Sequence, residues 1–402
     1  MNGSKVAKRE GYVPRGLART GPVLFSYGFR PFFLGAAVWA VVAMTLWIAA
    51  LAGHLEVAGS YGAHAWHAHE MLFGFAPAVL AGFLLTAVPN WTGRLPVSGW
   101  PLAALFALWL AGRAALLSPD VIGIPPAAAI DGLFLPALLL ICAREVIAGR
   151  KWKDLKVLGS LLALSLANAC FHFAVVMGDH PHIAMRLGIS AYVALVTIIG
   201  GRILPSFTRW LNRAGRAEFP VPYNHFDTVA ILAGIAALGA WTLVPDHPVT
   251  AVAAFAASLL HTVRLARWRG WRTWPEMLLI ILHVAYAFVP LGFAAIGIGA
   301  LGFVEEHSVM HVLTVGAIAA MMLAVMTRAS RGHTGYALTA SRLTAASYAA
   351  IVVSALLRPL AEIFPSVAAS LYAVSGSAWI LAFALFCAEY GPILVRKRRA
   401  VQ

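Results

Sequence analysis

The stretch MLFGFAPAVLAGFLLTAVPNWTGR, Met71–Arg94, decides the fold class. No side chain from Met71 to Pro89 is charged. A helix of that length matches the roughly 20 apolar residues needed to cross a bilayer core. The run is entered through WHAHE, Trp66–Glu70, and left through Arg94, so its ends differ in chemistry.

The same pattern recurs outward in both directions. Apolar runs between Pro, Gly and charge breaks predict spans near 32–52, 71–89, 100–117, 125–146, 155–177, 183–205, 226–244, 248–265, 275–298, 307–327, 340–358 and 366–390. The fold class expected is therefore an all-α membrane protein of twelve transmembrane helices in a single domain, 31–390. Basic tails, 1–30 and 391–402, flank it. Composition agrees: 61% of the 402 residues are hydrophobic and 11% are charged, with mean hydropathy +0.80. Soluble domains hold nearer half and a quarter.

Charge tests the count independently, because Lys and Arg gather in cytoplasmic loops. With both termini cytoplasmic, the inside segments hold 27 of the 30 basic residues. They include Lys5, Lys8, Arg9, Arg15, Arg19 and Arg30 before span one, and the Arg396–Arg399 run at the end. Arg113, Arg186 and Arg358 fall at outer span ends. Omitting one span would invert every later loop. The net charge of +14 thus reflects membrane orientation, and with no basic stripe or reader motif nucleic acid is excluded as a partner. The lipid bilayer is the expected surrounding.

The N-terminal tail has no apolar segment followed by a small-residue cleavage site, so span one is read as an uncleaved anchor. Cys142, Cys170 and Cys387 stand singly inside apolar runs, which argues against disulfide scaffolds, thiolate zinc and covalently attached haem.

Spans two, six and ten resemble one another. Their outer ends read WHAHEMLFG (Trp66–Gly74), HPHIAMRLG (His180–Gly188) and EHSVMHVLTVG (Glu306–Gly316), each a His/Met cluster followed by glycine. Their inner ends place Thr92, Thr208 and Thr327 near an arginine. Either outer and inner ends merely attract these residue types, or the chain forms three four-helix arcs about a pseudo-threefold axis.

Ionisable side chains within spans are costly and usually functional. His67, His69, His172 and His311 are expected at one depth near the outer face, where imidazole suits haem iron and copper. His67 and His69 are two apart and face different ways if the helix has begun there. They then serve two centres, or one ligates while the other orients Glu70. Few intramembrane carboxylates are expected, which argues against magnesium or calcium. His283, with Tyr286 one turn later, lies towards the inner side with His261. His54, His180, His182, His225 and His247 read as loop residues. Arg202, Arg209 and Arg328 are inner anchors or partners of haem propionates. Met321, Met322 and Met326 read as packing.

WHAHEMLFGF (Trp66–Phe75) with GFLLTAVPNWTGR (Gly82–Arg94), GRILPSFT (Gly201–Thr208), RWRGWRT (Arg267–Thr273) with LHVAY (Leu282–Tyr286), and HVLTVGAIAAMMLAVMTRASRGHTG (His311–Gly335) resemble the NnrS family. The resemblance implies a twelve-span bacterial inner-membrane protein that binds haem and copper and acts in nitric-oxide resistance. By motif it carries over to His67, His69, His283, His311 and His333. The threefold signal is similar to haem–copper oxidase catalytic subunits.

The expected metal ligands are His67, His69, His172, His283 and His311. Among these, His69, His172, His283 and His311 are the candidates for binding a non-covalent, b-type haem, with copper as second cofactor. Glu70, as a proton relay, and Tyr286 are the candidate catalytic residues. Nitric oxide is the expected partner, with a quinol or similar electron donor. Binding, oxidoreductase turnover and shielding of iron centres all fit. Two other readings stay open: a secondary transporter with a His/Arg-lined pathway, and a quinol-linked electron-transfer haem protein.

Overall fold

The structure is a computed structural model that describes residues 21–212 and 220–399. Lys5, Lys8, Arg9, Arg15, Arg19, Arg213 and Arg216, and with them most of the expected N-terminal tail, lie outside the described residues. Among the described residues every regular element is helical.

Twelve helical segments are long and apolar enough to span a membrane: α1 Phe29–Leu51, α2 Ala63–Thr92, α3 Trp100–Leu117, α4 Ile124–Ala148, α5 Trp152–Met177, α6 His182–Arg209, α7 His225–Leu243, α8 Pro248–Thr273, α9 Met277–Ala300, α10 Glu306–Thr334, α11 Arg342–Ile363 and α12 Pro365–Val395. They match the twelve expected spans one for one. The main departure is at α2, which starts eight residues before position 71 and carries its histidines inside the helix.

The three repeat spans are the central helices. Their apolar cores are 83% (α2), 72% (α6) and 78% (α10) buried, against 33 to 44% for the eight outermost helices. α2 packs on α6 and on α10, and α6 packs on α10. α1 packs along α12 and closes the bundle. Each run of four spans thus contributes one of these central helices, and α9 follows them at 67% buried.

Lipid offers no hydrophobic drive for helices to associate, so close packing and polar contacts must hold them together. Ala36, Ala40 and Ala43 share one buried face of α1, and Trp379 Nε1 of α12 donates to Ala40 O at 3.1 Å. The repeat glycines serve close approach. A side chain at Gly74 would strike Arg113 and Glu70, one at Gly188 would strike Leu72 and Phe73, and one at Gly316 would strike Phe288.

The repeat threonines behave alike as well. Thr92, Thr208 and Thr327 each donate a hydroxyl to the carbonyl four residues earlier, Val88, Leu204 and Leu323, at 2.9, 2.9 and 3.0 Å. Such back-bonding satisfies a polar side chain inside a helix without a partner. Thr208 adds His283 Nε2 of α9 at 3.0 Å, and Thr327 adds the Tyr348 hydroxyl of α11.

Candidate metal centres

Starting α2 at Ala63 puts His67 and His69 on different sides of one helix. Immediately after them, Glu70–Phe75 forms a π-helical turn, and Val312–Ala319 does the same just after His311 in α10. Such turns concentrate at functional sites because they re-aim side chains locally. In α6, His182–Asn212 runs as an α-helix throughout.

His69 faces the first group of helices. Its Nε2 lies 3.1 Å from Asp131 Oδ2 of α4 and 2.9 Å from Asn168 Oδ1 of α5. His172 Nε2 lies 2.9 Å from the same Asp131 oxygen. Ligand atoms of His69, Asp131 and His172 all fall within 4.8 Å of one another, and all three residues are buried. Ligands about 2.0–2.2 Å from a tetrahedral metal stand roughly 3.3 Å apart, so the Asp131 oxygen would have to move only a few tenths of an ångström away from each imidazole nitrogen to admit an ion between them.

The surrounding groups hold the opposite ring nitrogens. His69 Nδ1 meets Glu70 Oε1 at 3.2 Å, and His172 Nδ1 meets the Tyr61 hydroxyl at 3.1 Å. Tyr61 lies between α1 and α2, and burial, then the charge of Glu70, pushes its phenol well above the usual range. It therefore keeps its proton at neutral pH. Ligating histidines commonly have their second nitrogen fixed in this way.

Charge explains why a cation suits the triad. Arg113 of α3 donates to Glu70 Oε2 at 2.7 Å and to Asp131 Oδ1, and Trp39 Nε1 of α1 donates to Glu70 Oε2 at 2.7 Å. One guanidinium thus faces two carboxylates, and both His69 nitrogens face acceptors. A metal ion or an imidazolium would supply the missing positive charge.

His67 faces elsewhere, into a partly open cavity of about 490 Å³. Six histidines line it: His64, His67, His180, His182, His307 and His311. His67 stacks on Trp47 with ring centroids 4.4 Å apart and planes 9° apart. Its Nδ1 is buried without a hydrogen-bond partner. His311 Nδ1 donates to His307 O at 2.6 Å, which leaves Nε2 as its ligand atom. The volume falls in the range of small-molecule and cofactor sites.

Comparison with known families adds its own finding: the family model described as NnrS protein matches residues 23–398. The chain belongs to the NnrS family. Comparison with individually curated proteins returns no match.

In this NnrS-family chain the five expected ligands separate into three places. His69 and His172 share the triad, His67 and His311 share the cavity, and His283 lies apart on Thr208 with its Nδ1 buried and unpartnered. Glu70 joins the triad. Tyr286 instead accepts from Arg264 Nη1 at 2.8 Å and meets His261 Nδ1 at 2.9 Å, in a network with Asp227 between α7, α8 and α9. His333 packs against Tyr27 and Phe29. Arg113 is only 3% exposed, and Arg264 is fully buried because α8 continues beyond it. The near absence of intramembrane carboxylates is corrected by Glu70, Asp131 and Asp227, all buried. His180 and His182, expected as loop residues, line the cavity.

Proposed function

We propose that this protein is a haem–copper membrane protein that removes nitric oxide, with haem in the cavity and copper in the triad. The observation that carries the reading is the division of labour on α2: His67 lines the cavity and keeps a buried nitrogen without a hydrogen-bond partner, while His69 joins Asp131 and His172. Family membership supports the nitric-oxide role.

The residues fit the two groups in different ways. Two imidazoles and one carboxylate suit copper or iron. In the cavity, His67 from α2 and His311 from α10 offer imidazole beside apolar side chains that include Phe75, Ile189 and Ile318. Bound iron or copper would supply direct coordination of nitric oxide and one-electron chemistry.

The chain's own groups do the rest. Nitric oxide is small, uncharged and lipid-soluble, so an apolar, partly open cavity admits it without a polar path. Reduction of two molecules to nitrous oxide and water consumes two protons and two electrons, the electrons coming from a quinol-class donor. Glu70 Oε1, beside His69 Nδ1, is placed to give and regain a proton there. The reading places the protein in the bacterial inner membrane, both termini cytoplasmic and both centres towards the outer face.

The test is an optical spectrum with metal analysis on purified protein, before and after nitric oxide. A Soret band that shifts with nitric oxide, together with stoichiometric copper, is expected. Protein expressed with ample haem and copper that holds neither would overturn the reading.

A further inference from the structure

The cavity has one charged end. Its lining residues with formal charge are Arg358 and Glu362, both late in α11, and Tyr372 of α12 lies against them. Arg358 Nη1 donates to Glu362 Oε1 at 2.9 Å, the Tyr372 hydroxyl donates to Oε2 at 3.0 Å, and the guanidinium sits over the Tyr372 ring at 4.5 Å. The rest of the lining is histidine and apolar side chains, Phe75, Ile189, Ile318 and Trp379 among the latter, with a few hydroxyls. The occupant such a space selects is flat and apolar with an anionic edge.

We propose that Arg358 receives the carboxylate edge of that occupant, with Glu362 as the placeholder it displaces and Tyr372 holding the guanidinium in position. On the reading above, on which this inference rests, the carboxylates are the haem propionates. Guanidinium matches carboxylate in a planar, two-point contact that lysine cannot reproduce. Arg358 and Glu362 side chains are 21% and 22% exposed, and an ion pair in that setting is weak, so exchanging one carboxylate for another is easy. Two of the inner-end arginines have other contacts: Arg202 pairs with Asp154 at 2.8 Å, and Arg328 lies over Phe207 at 4.2 Å.

The experiment titrates haem-depleted full-length protein in detergent with ferric protoporphyrin IX and, separately, with its dimethyl ester, which lacks the carboxylates. The Soret band reads binding. Wild type is expected to prefer the free acid by about tenfold, the factor one charge-assisted contact supplies. Arg358→Gln should lose that preference while binding the ester as before, and Arg358→Lys should keep part of it. Glu362→Gln, which retains the arginine, should widen the preference, and this variant decides the matter if Arg358→Gln does not fold. Undiminished preference in Arg358→Gln, or its loss in Glu362→Gln, overturns the assignment alone. Wild type that binds neither compound overturns the haem reading with it.

Discussion

His67 and His69 are two residues apart on one helix, yet they end in surroundings of opposite character. His69 sits among Glu70, Asp131, Arg113 and Asn168, with each ring nitrogen within hydrogen-bond distance of an acceptor. His67 sits among aromatic, methionine and histidine side chains, with one nitrogen unpaired. The first environment is closed, charged and short of one positive charge. The second is open and mostly apolar. The first suits a small cation by its electrostatics; the second offers room and several imidazoles to something larger.

The contrast breaks most severely at Arg113. Arg113→Gln leaves Glu70 and Asp131 buried without their cation, and breaking such a pair costs about 3–5 kcal/mol. Thermal unfolding in detergent should fall accordingly, and an unchanged midpoint would mean that the network does not hold the first bundle. Gly74→Ala attacks the same place sterically by driving a methyl group into the Arg113–Glu70 pair, at about 1–3 kcal/mol. Its expected signature is copper loss with haem retained, measured by metal analysis beside the Soret band.

A gentler change tests the triad alone. Tyr61→Phe removes the hydroxyl that fixes His172 Nδ1. Copper affinity in competition with a chelator should weaken about tenfold, with the Soret band unmoved. Unaltered affinity would show that His172 needs no orienting partner. Smallest of all, Thr327→Val should cost about 1 kcal/mol through loss of its hydrogen bonds. Thr92→Val, which loses only local bonds, should cost less by the same thermal assay.

Much of the architecture was legible in the residues. Charge-free runs bounded by arginine clusters give the twelve spans because lipid tolerates so few alternatives. The repeat was legible too, since its glycines mark close approaches of the central helices to their neighbours, Gly74 to α3, Gly188 to α2 and Gly316 to α9. The site was legible in part. Two-residue spacing places His67 and His69 on separate sides once the helix is known to start at Ala63, but the apolar run begins only at Met71, so hydropathy puts the start too late. Asp131 was missed although a carboxylate within the run AAAIDGLFLP was itself the signal, with Arg113 and Asn168 as its counterparts in neighbouring spans. That Tyr286 stands with His261 and Arg264, and Glu70 with His69, depends on which helices touch. Spacing along a chain does not carry that information.

The central claim is that α2 serves two separate centres, and paired variants test it most directly. Haem and copper would be quantified on purified wild type, on the His67→Ala/His311→Ala double variant and on the His69→Ala/His172→Ala double variant. The account predicts reciprocal loss: the first keeps copper and loses haem, and the second keeps haem and loses copper. Loss of both cofactors in each folded variant, or of neither, would contradict it.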